Sequence, residues 1–323
     1  MGRALIHFPS GRVYPARPDF CETPIHERVT MDAILPNPAM RLTILAIALG
    51  FMILEYMLSR LVHHDTDTHD LAETAASFAV ATGQKIVRAL EAGFIALPFA
   101  YIYDHRLFDF DPFALATLAA LFLATEFVYY WHHRAAHRIR FLWATHSVHH
   151  SATRLNLTAA IRLGWTGNVT GNFLFFLPLA WIGFHPFAIV AMLGVNLFYQ
   201  FFLHTELVPT LGPLEWVLNT PAHHRVHHAS NPACLDKNYG GMLIVFDRLF
   251  GTLAEAPRGD RLRYGLAGGT ATLNPLRIAF GEWISLFRDV RSASTLSAKL
   301  SAIFAAPGSV QPSTPNRIQT REK

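Results

Sequence analysis

The chain has few charged residues and few cysteines. Lys, Arg, Asp and Glu make up 15% of its 323 residues, against about 25% in a typical soluble domain. Its two cysteines, Cys21 and Cys234, lack CxxC spacing and are too few for a disulfide framework, so we expect free thiols in a reducing compartment. No apolar run of signal-peptide type stands near the start. These deficits exclude a disulfide-rich secreted domain.

A modest basic excess is present, with a net charge of +4 and a pI near 9.2. In a nucleic-acid-binding protein, such an excess would form basic patches interleaved with surface aromatic residues. Here the aromatic residues lie within apolar runs instead. We therefore expect no nucleic-acid partner and attribute the charge to orientation in a membrane.

Long apolar runs account for a hydrophobic content of 51%. Candidate membrane spans lie at residues 42–58, 86–103 and 112–131, and two more within 163–203, hinged at His185 and Pro186. The loop 132–162 carries several arginines and no acidic residue, which places it in the cytoplasm by the positive-inside rule. The sequence thus predicts an all-α integral membrane protein, with four or five transmembrane helices and a cytoplasmic helical cap.

The remaining segments are assigned by composition. We expect an N-terminal arm at 1–40, a membrane domain at 41–300 and a disordered tail at 301–323. The polar stretch with His63, His64 and His69 is predicted to be a solvated loop. Residues 274–290 have an amphipathic pattern, typical of a helix that lies on the cytoplasmic leaflet or packs on the cap.

Histidine is unusually frequent, and three groups of histidines fall at helical intervals. Residues three or four apart share one helix face, and clustered neutral imidazoles suit iron, zinc or copper. The spacing therefore predicts a polynuclear metal site. Its members are His133 and His137; His146, His149 and His150; and His224, His227 and His228.

Two further histidines each precede a predicted ligand by one residue. That step rotates His132 and His223 by about 100° around the helix. We expect each to lie beside the metal site or on the surface, although His223 could serve as an extra ligand.

The motifs HxxxH at 133–137, HxxHH at 146–150 and HxxHH at 224–228 resemble the fatty acid hydroxylase and sterol desaturase superfamily of membrane di-iron enzymes. The flanks YYWHHRAAH, THSVHHS, YQFFLHTE and DKNYGGMLIVFDRLFGT are most similar to its alkylglycerol monooxygenase-like branch. The resemblance implies that the eight box histidines and His204 hold two iron ions (Fe2+/Fe3+). Gln200, where some relatives have a further histidine, and Arg138, where an acid is expected, depart from the pattern.

The same resemblance implies O2-dependent oxidation of a membrane lipid. A metal and O2 are needed for this reaction because no amino-acid side chain oxidises an unactivated C–H bond. Hydroxylation, ether cleavage and desaturation all remain open, as does hydroxylation of a polar lipid of the ornithine-lipid type. Electrons would come from a separate donor, either a tetrahydropterin or a ferredoxin or cytochrome system. The active site would face the cytoplasm, at the inner membrane of a bacterium.

Groups that accept the remaining N–H of each ligand ring are expected to orient the ligands. Glu126, two helical turns before His133, is one candidate because an ionisable residue in an apolar run is a functional candidate by default. Asp236 and Asn238, which follow the last histidine motif, are two more.

Two hypotheses of another class also fit clustered histidines: a divalent-metal transporter and an inactive metal-binding scaffold. Transporters place their ligands on broken helices near the middle of the bilayer, whereas these clusters lie at the ends of spans and in loops. Nothing in the sequence indicates an oligomeric state.

Overall fold

A computed structural model describes residues 38–61 and 68–309. Its elements are helical, and within these residues the only β-type pairing is two isolated bridges. The α-helices are α1 (Pro38–Leu61), α2 (Leu71–Asp104), α3 (Leu115–Arg138), α4 (Arg140–His150), α5 (Leu157–Ala160), α6 (Leu177–Ile182), α7 (Pro186–Phe201), α8 (Pro221–His228), α9 (Val245–Leu249), α10 (Pro275–Ser292) and α11 (Leu296–Phe304). The predicted all-α class is confirmed.

The chain divides into two compact units, residues 1–49 and 50–323. In the first unit, the described residues form the beginning of α1. All the histidines predicted as metal ligands lie in the second. The predicted N-terminal arm falls almost wholly outside the described residues, as do the last fourteen positions of the predicted tail, 310–323.

Among the described residues, one helix, Ala39–Leu61, is long and apolar enough to cross a membrane. A second candidate is α2, which is bent by 51° between Glu91 and Gly93. The four or five predicted spans are therefore not confirmed by helix length, and that number stays a prediction.

The apolar run 163–203 does not form the two predicted long spans. It folds as a 3-10 turn (Asn172–Phe176) followed by α6 and α7, with 6 and 16 residues, whereas a span needs about 20. The expected break is present, because His185 caps α7 and Pro186 begins it. The side chains of Phe176, Leu179 and Ile189 pack with α2 and α3 in an apolar cluster, so much of this hydrophobicity serves protein packing.

The polar stretch before α2 is not simply solvated. His63 and His64 lie outside the described residues, but His69 is buried. Its Nε2 lies 3.5 Å from a carboxylate oxygen of Glu55 on α1, and its Nδ1 lies 3.1 Å from the hydroxyl of Thr68. The prediction for His69 was wrong because composition does not reveal a buried acidic partner more than ten residues away.

The two C-terminal helices pack on the part of the fold that holds the histidines. Arg140, the first residue of α4, is buried and paired with Glu282 and Asp289 on α10. Ile278 and Leu286 of α10 are buried as well. The structure thus favours the packed alternative for this amphipathic helix. α11 extends the helical fold to Phe304, beyond the predicted start of the tail at residue 301.

Candidate metal centre

Four segments bring the predicted ligands together. α3 carries His133 and His137 on one face, and after the extended residue Ile139 the chain turns directly into α4. α8 begins with Pro221, whose fixed φ suits the first turn of a helix. The other histidines lie on α4 and α8, and His204 follows the end of α7 by three residues.

The nine imidazoles form two groups that could each hold a metal ion. Within each group, the candidate ligand nitrogens all lie within 4.8 Å of one another. We name the first the five-histidine group and the second the four-histidine group. The five-histidine group is His133, His137, His146, His150 and His227, and the four-histidine group is His149, His204, His224 and His228.

Neighbouring histidines of a motif enter different groups. His149 and His150 are adjacent on α4, and His227 and His228 on α8, yet each pair is divided between the two groups. A helix turns by about 100° per residue, which directs consecutive side chains to different sides. The groups are nevertheless in contact, because the rings of His150 and His228 stack with their centroids 4.4 Å apart.

The imidazoles are buried and neutral. Eight of the nine are buried, and the ninth, His146, is partly buried. Burial, which disfavours the charged form, lowers the pKa of His149 and of His227 to about 4. For His137, His150 and His228, burial and then neighbouring histidines hold the pKa well below its ordinary value. Neutral imidazole is the form that binds metals.

Backbone carbonyls fix the orientation of four rings through their Nδ1 atoms. The partners are Tyr239 for His133 (2.8 Å), Lys237 for His227 (2.9 Å), Gln200 for His204 (2.8 Å) and Arg162 for His149 (3.3 Å). A carbonyl only accepts, so Nδ1 must carry the proton in each of these rings. The Nε2 atom of each ring then offers a lone pair to the centre.

This tautomer creates a conflict that a cation resolves. The Nε2 atoms of His149 and His204 lie 3.1 Å apart, and both carry lone pairs by the argument above. Two acceptors cannot bond to each other, and the lowered pKa of both rings opposes an added proton. The buried Nε2 atoms of His137 and His227 have no hydrogen-bond partner at all. The residues therefore fit two metal cations held by Nε2.

The loop 236–239 supports the five-histidine group. Its carbonyls at Lys237 and Tyr239 accept from His227 and His133. Asp236 and Asn238 have φ angles of 60° and 56°, which residues other than glycine adopt at a cost. Such strain persists where the surroundings impose it, and it clusters at functional sites.

Asp247 on α9 holds this loop from the interior. One carboxylate oxygen accepts from the backbone N–H of Tyr239 at 2.8 Å and from the Thr252 hydroxyl at 2.6 Å. The other accepts from the N–H of Gly240 at 2.7 Å. Asp247 is fully buried, and that burial raises the pKa of its carboxyl. Through Tyr239, Asp247 therefore fixes the carbonyl that orients His133.

Glu126 on α3 supports the next part of the same segment. One of its carboxylate oxygens accepts from the N–H groups of Met242 and Leu243, each at 2.8 Å, and the other accepts from the Asn196 side chain. Asn196 in turn accepts from Gln200, the residue whose carbonyl orients His204. Glu126 thus accepts from the backbone of the segment that follows Tyr239 and, through the Asn196 side chain, contacts the residue that orients His204. It does not accept from a ligand ring.

A buried ion pair supports the four-histidine group. Arg162 is almost fully buried, and its guanidinium lies 3.4 Å from a carboxylate oxygen of Glu73 on α2. It also donates to the carbonyl of Glu73 and the hydroxyl of Ser77. These contacts hold in place the residue whose own carbonyl orients His149.

The other predicted residues lie beside the two groups. Asp236 is half-exposed and pairs with Arg138 at 2.8 Å. The buried Asn238 donates to the carbonyls of His223 and Ala254, and therefore ties the start of α8 to the segment after α9. His223 is buried but belongs to neither group.

His132 also lies outside both groups. Its ring packs against Phe175 and Phe176, so the residue is not at the surface.

Sequence reasoning missed Asp247, Glu73 and Arg162. A signal for Asp247 was available, because it is an acid within the apolar run MLIVFDRLF, the same criterion that identified Glu126. Glu73 and Arg162 gave no such signal, since each stands in a mixed segment and their pairing spans 89 positions.

The region that is similar to known proteins contains the clustered histidines. Residues 118–252 match the family model described as fatty acid hydroxylase. Alkylglycerol monooxygenase of Xenopus tropicalis is 40% identical over 212 residues, 65% of this chain and 47% of that protein. The Homo sapiens protein of that name is 41% identical over 212 residues, with the same shares of 65% and 47%. Ornithine lipid hydroxylase OlsE of Rhizobium tropici is 30% identical over 202 residues, 62% of this chain and 60% of that protein.

The chain spans about half the length of the alkylglycerol monooxygenases that it matches. No solved structure matches it at a significant level. The matched region holds all nine clustered histidines, and the predicted resemblance is confirmed. Residues 118–252 of this chain are thus similar to the fatty acid hydroxylase family, whose model they match.

Proposed function

We propose that this protein is an O2-dependent monooxygenase that hydroxylates a membrane lipid at a dimetal centre of nine imidazoles. The observation that carries the proposal is the opposed pair of Nε2 lone pairs within a buried, neutral cluster. Relatives named as monooxygenases and hydroxylases of lipids support the reaction class. Two iron ions are the proposed metals, and with O2 they would supply an oxidant that amino acids lack.

The chain's own residues hold and orient this centre. The imidazoles stay neutral through burial, so they bind cations without first losing a proton. Carbonyls of residues 162, 200, 237 and 239 direct four Nε2 atoms inward. Glu126, Asp236 and Asn238 contribute through backbone and rim contacts. Burial of the cluster excludes bulk water, which strengthens electrostatic interactions and limits side reactions.

The proposed substrate is a lipid with an alkyl chain. Hydroxylation of a carbon beside an ether oxygen would cleave an alkylglycerol, the lipid in the name of the alkylglycerol monooxygenases that this chain resembles. A polar lipid of the ornithine-lipid type is the second candidate, which the similarity to OlsE favours. The external reductant would be a tetrahydropterin or a ferredoxin or cytochrome system.

A membrane location is proposed from the exposed apolar surface. Ile86, Leu90, Phe94, Leu97 and Tyr101 repeat at helical intervals along α2, and each is at least 60% exposed. Such a stripe is costly in water and favourable against lipid. In this proposal the bundle has four or five spans, and the metal centre faces the cytoplasm of a bacterium.

The arginines of loop 132–162 support that orientation only in part. Arg140 and Arg162 are buried in ion pairs, so Arg134, Arg138 and Arg154 remain as charges nearer the surface.

Oxygen-18 labelling tests the reaction. Purified, iron-loaded protein would be given 18O2, a reductant and, separately, an alkylglycerol or an ornithine lipid. We expect one labelled oxygen atom in one lipid product and none after iron removal. A labelled product without metal, or lipidomes that match in wild-type and deletion strains, would contradict the proposal.

A further inference from the structure

A cavity lies beside the metal centre and is lined in part by the loop 236–239. It measures about 380 Å3 and is partly open to solvent, a size within the ~300–1,000 Å3 typical of small-molecule sites. Most such sites are apolar. This one is lined mainly by polar groups, including Arg134, Arg138, Asp236, Lys237 and Tyr239.

The charge of this cavity is positive. Three of the lining side chains are cationic, and one, Asp236, is anionic and already paired with Arg138. The cavity therefore favours a ligand with a negative group, because guanidinium and ammonium groups bind carboxylates, sulfonates and phosphates by charge-assisted hydrogen bonds.

A buried relay holds one of these cations in place. Thr252 donates its single hydroxyl proton to Asp247. The Tyr130 hydroxyl, 2.9 Å from Thr252, must therefore donate to Thr252, which leaves the Tyr130 oxygen to accept from Arg134 at 3.0 Å. An arginine has five N–H donors, so Arg134 is oriented by one of them and keeps others for a ligand.

One wall of the cavity is also a wall of the metal centre. Tyr239 lines the cavity, and the centroid of its ring lies 5.3 Å from the ring of His137 and 5.9 Å from that of His133. The cavity-lining residues Lys237 and Tyr239 are also those whose carbonyls orient His227 and His133. A ligand here would be separated from the five-histidine group by one aromatic ring and one strained loop.

We propose that this cavity binds a small anionic reductant, which delivers electrons to the metal centre across Tyr239. This inference rests on the proposed function. Hydroxylation consumes R–H, O2, two electrons and two protons and yields R–OH and water, so a donor must release two electrons and two protons for each turnover. A small organic donor that carries an acidic group and releases two electrons and two protons meets both the charge of the cavity and this balance, whereas a ferredoxin or a cytochrome is too large for the cavity.

Direct binding to metal-free protein tests the site apart from any turnover. The probe is anthraquinone-2,6-disulfonate, a small anionic quinone, measured by equilibrium dialysis. Lys237→Glu reverses the charge of one side chain of the cavity and keeps the backbone carbonyl that orients His227. We expect saturable binding to the wild type, and binding at least tenfold weaker in Lys237→Glu. Arg288→Glu, an exposed change on α10 with the same change in charge, should bind as the wild type does.

Reduction kinetics then test the role of the site. The iron-loaded protein would be mixed anaerobically with the reduced disulfonate or with the methyl viologen radical cation. Lys237→Glu should slow reduction by the anion at least tenfold and leave reduction by the cation unchanged or faster. Equal binding by wild type and Lys237→Glu, or equal slowing of both donors, would overturn the inference. Failure of 18O insertion despite charge-selective binding would overturn the proposed function and not this site.

Discussion

The two histidine groups perform one task with different supports. The five-histidine group depends on carbonyls of the loop 236–239, which is strained and held by Asp247. The four-histidine group depends on carbonyls of Arg162 and Gln200, and a buried ion pair with Glu73 fixes the first of them. The comparison teaches that metal ligands need a rigid acceptor behind them, whether it is provided by a local loop or by a long-range ion pair.

Loss of a ligand should give the largest difference between the two groups. His228→Ala leaves three imidazoles in its group, whereas His137→Ala leaves four in the other. We expect iron per chain to fall by at least half in His228→Ala and by less in His137→Ala. Elemental analysis of purified protein measures this difference, and equal losses would show that the groups do not differ in spare ligands.

Arg162→Met should be the next largest change, because it removes the ion pair but keeps the carbonyl. Breaking one side of a buried pair typically costs about 3–5 kcal/mol, and loss of a group that orients a ligand lowers metal affinity about 10–100-fold. Denaturant unfolding and competitive metal titration measure the two effects. Arg154→Met, at a partly exposed arginine of the same loop, is the matched control. An unchanged metal affinity in Arg162→Met would show that the ion pair between Arg162 and Glu73 does not help to orient His149.

Asp247→Asn should weaken the five-histidine group selectively. An amide keeps one acceptor oxygen and sets N–H donors against the backbone N–H of Tyr239 or Gly240, which leaves a buried donor unpaired at about 1–3 kcal/mol. We expect the first metal to be lost from the group that His133 belongs to, as Mössbauer spectra of the two iron sites would reveal. Asp260→Asn, at an exposed acid, should change neither site. Loss of both irons in equal measure would contradict a local role.

Acid should destabilise the metal-free protein before it affects the iron-loaded form. Burial lowers the pKa of His149 and His227 from 6.5 to about 4, so the unfolded chain binds more protons between these values. Stability therefore falls as the pH drops below 6.5 and stops falling on this account near pH 4. Melting temperatures from pH 7.5 to 4 measure the slope, which bound iron should reduce. A flat profile for the metal-free form would show that the cluster is open to water.

The smallest effect is expected at the rim. Asp236→Asn removes a half-exposed pair with Arg138, and exposed pairs contribute about 1 kcal/mol or less. Iron content should stay at the wild-type value, because the Lys237 and Tyr239 carbonyls are unaffected. A clear loss of iron in this variant would mean that the side chain of Asp236, and not only Asp247, holds the loop in its strained form.

Much of the centre could be predicted from the sequence, since helical spacing alone brought eight histidines to shared faces. The family resemblance added His204. The same helix geometry accounts for the division into two groups, because His149 and His150 are adjacent and a helix rotates each residue by about 100°, although the spacing of the motifs alone predicts one site. Backbone acceptors such as Arg162 could not be predicted, because a carbonyl is common to every residue and only the fold selects one.

The apolar runs were less informative than the histidines. The run 163–203 reads as two spans by composition, yet it includes short helices that pack in the protein's own core. Hydropathy records a preference to leave water, and it does not distinguish lipid from neighbouring side chains. The helix lengths therefore had to come from the structure.

Because α4 and α8 each give histidines to both groups, neither helix can serve one metal alone. The first ion to arrive would immobilise both helices, so the second would find its ligands already ordered and would lose less conformational entropy on binding. Assembly of the intact centre is in this respect cooperative, and a titration of the wild type with iron should show fewer half-filled molecules than two independent sites would give.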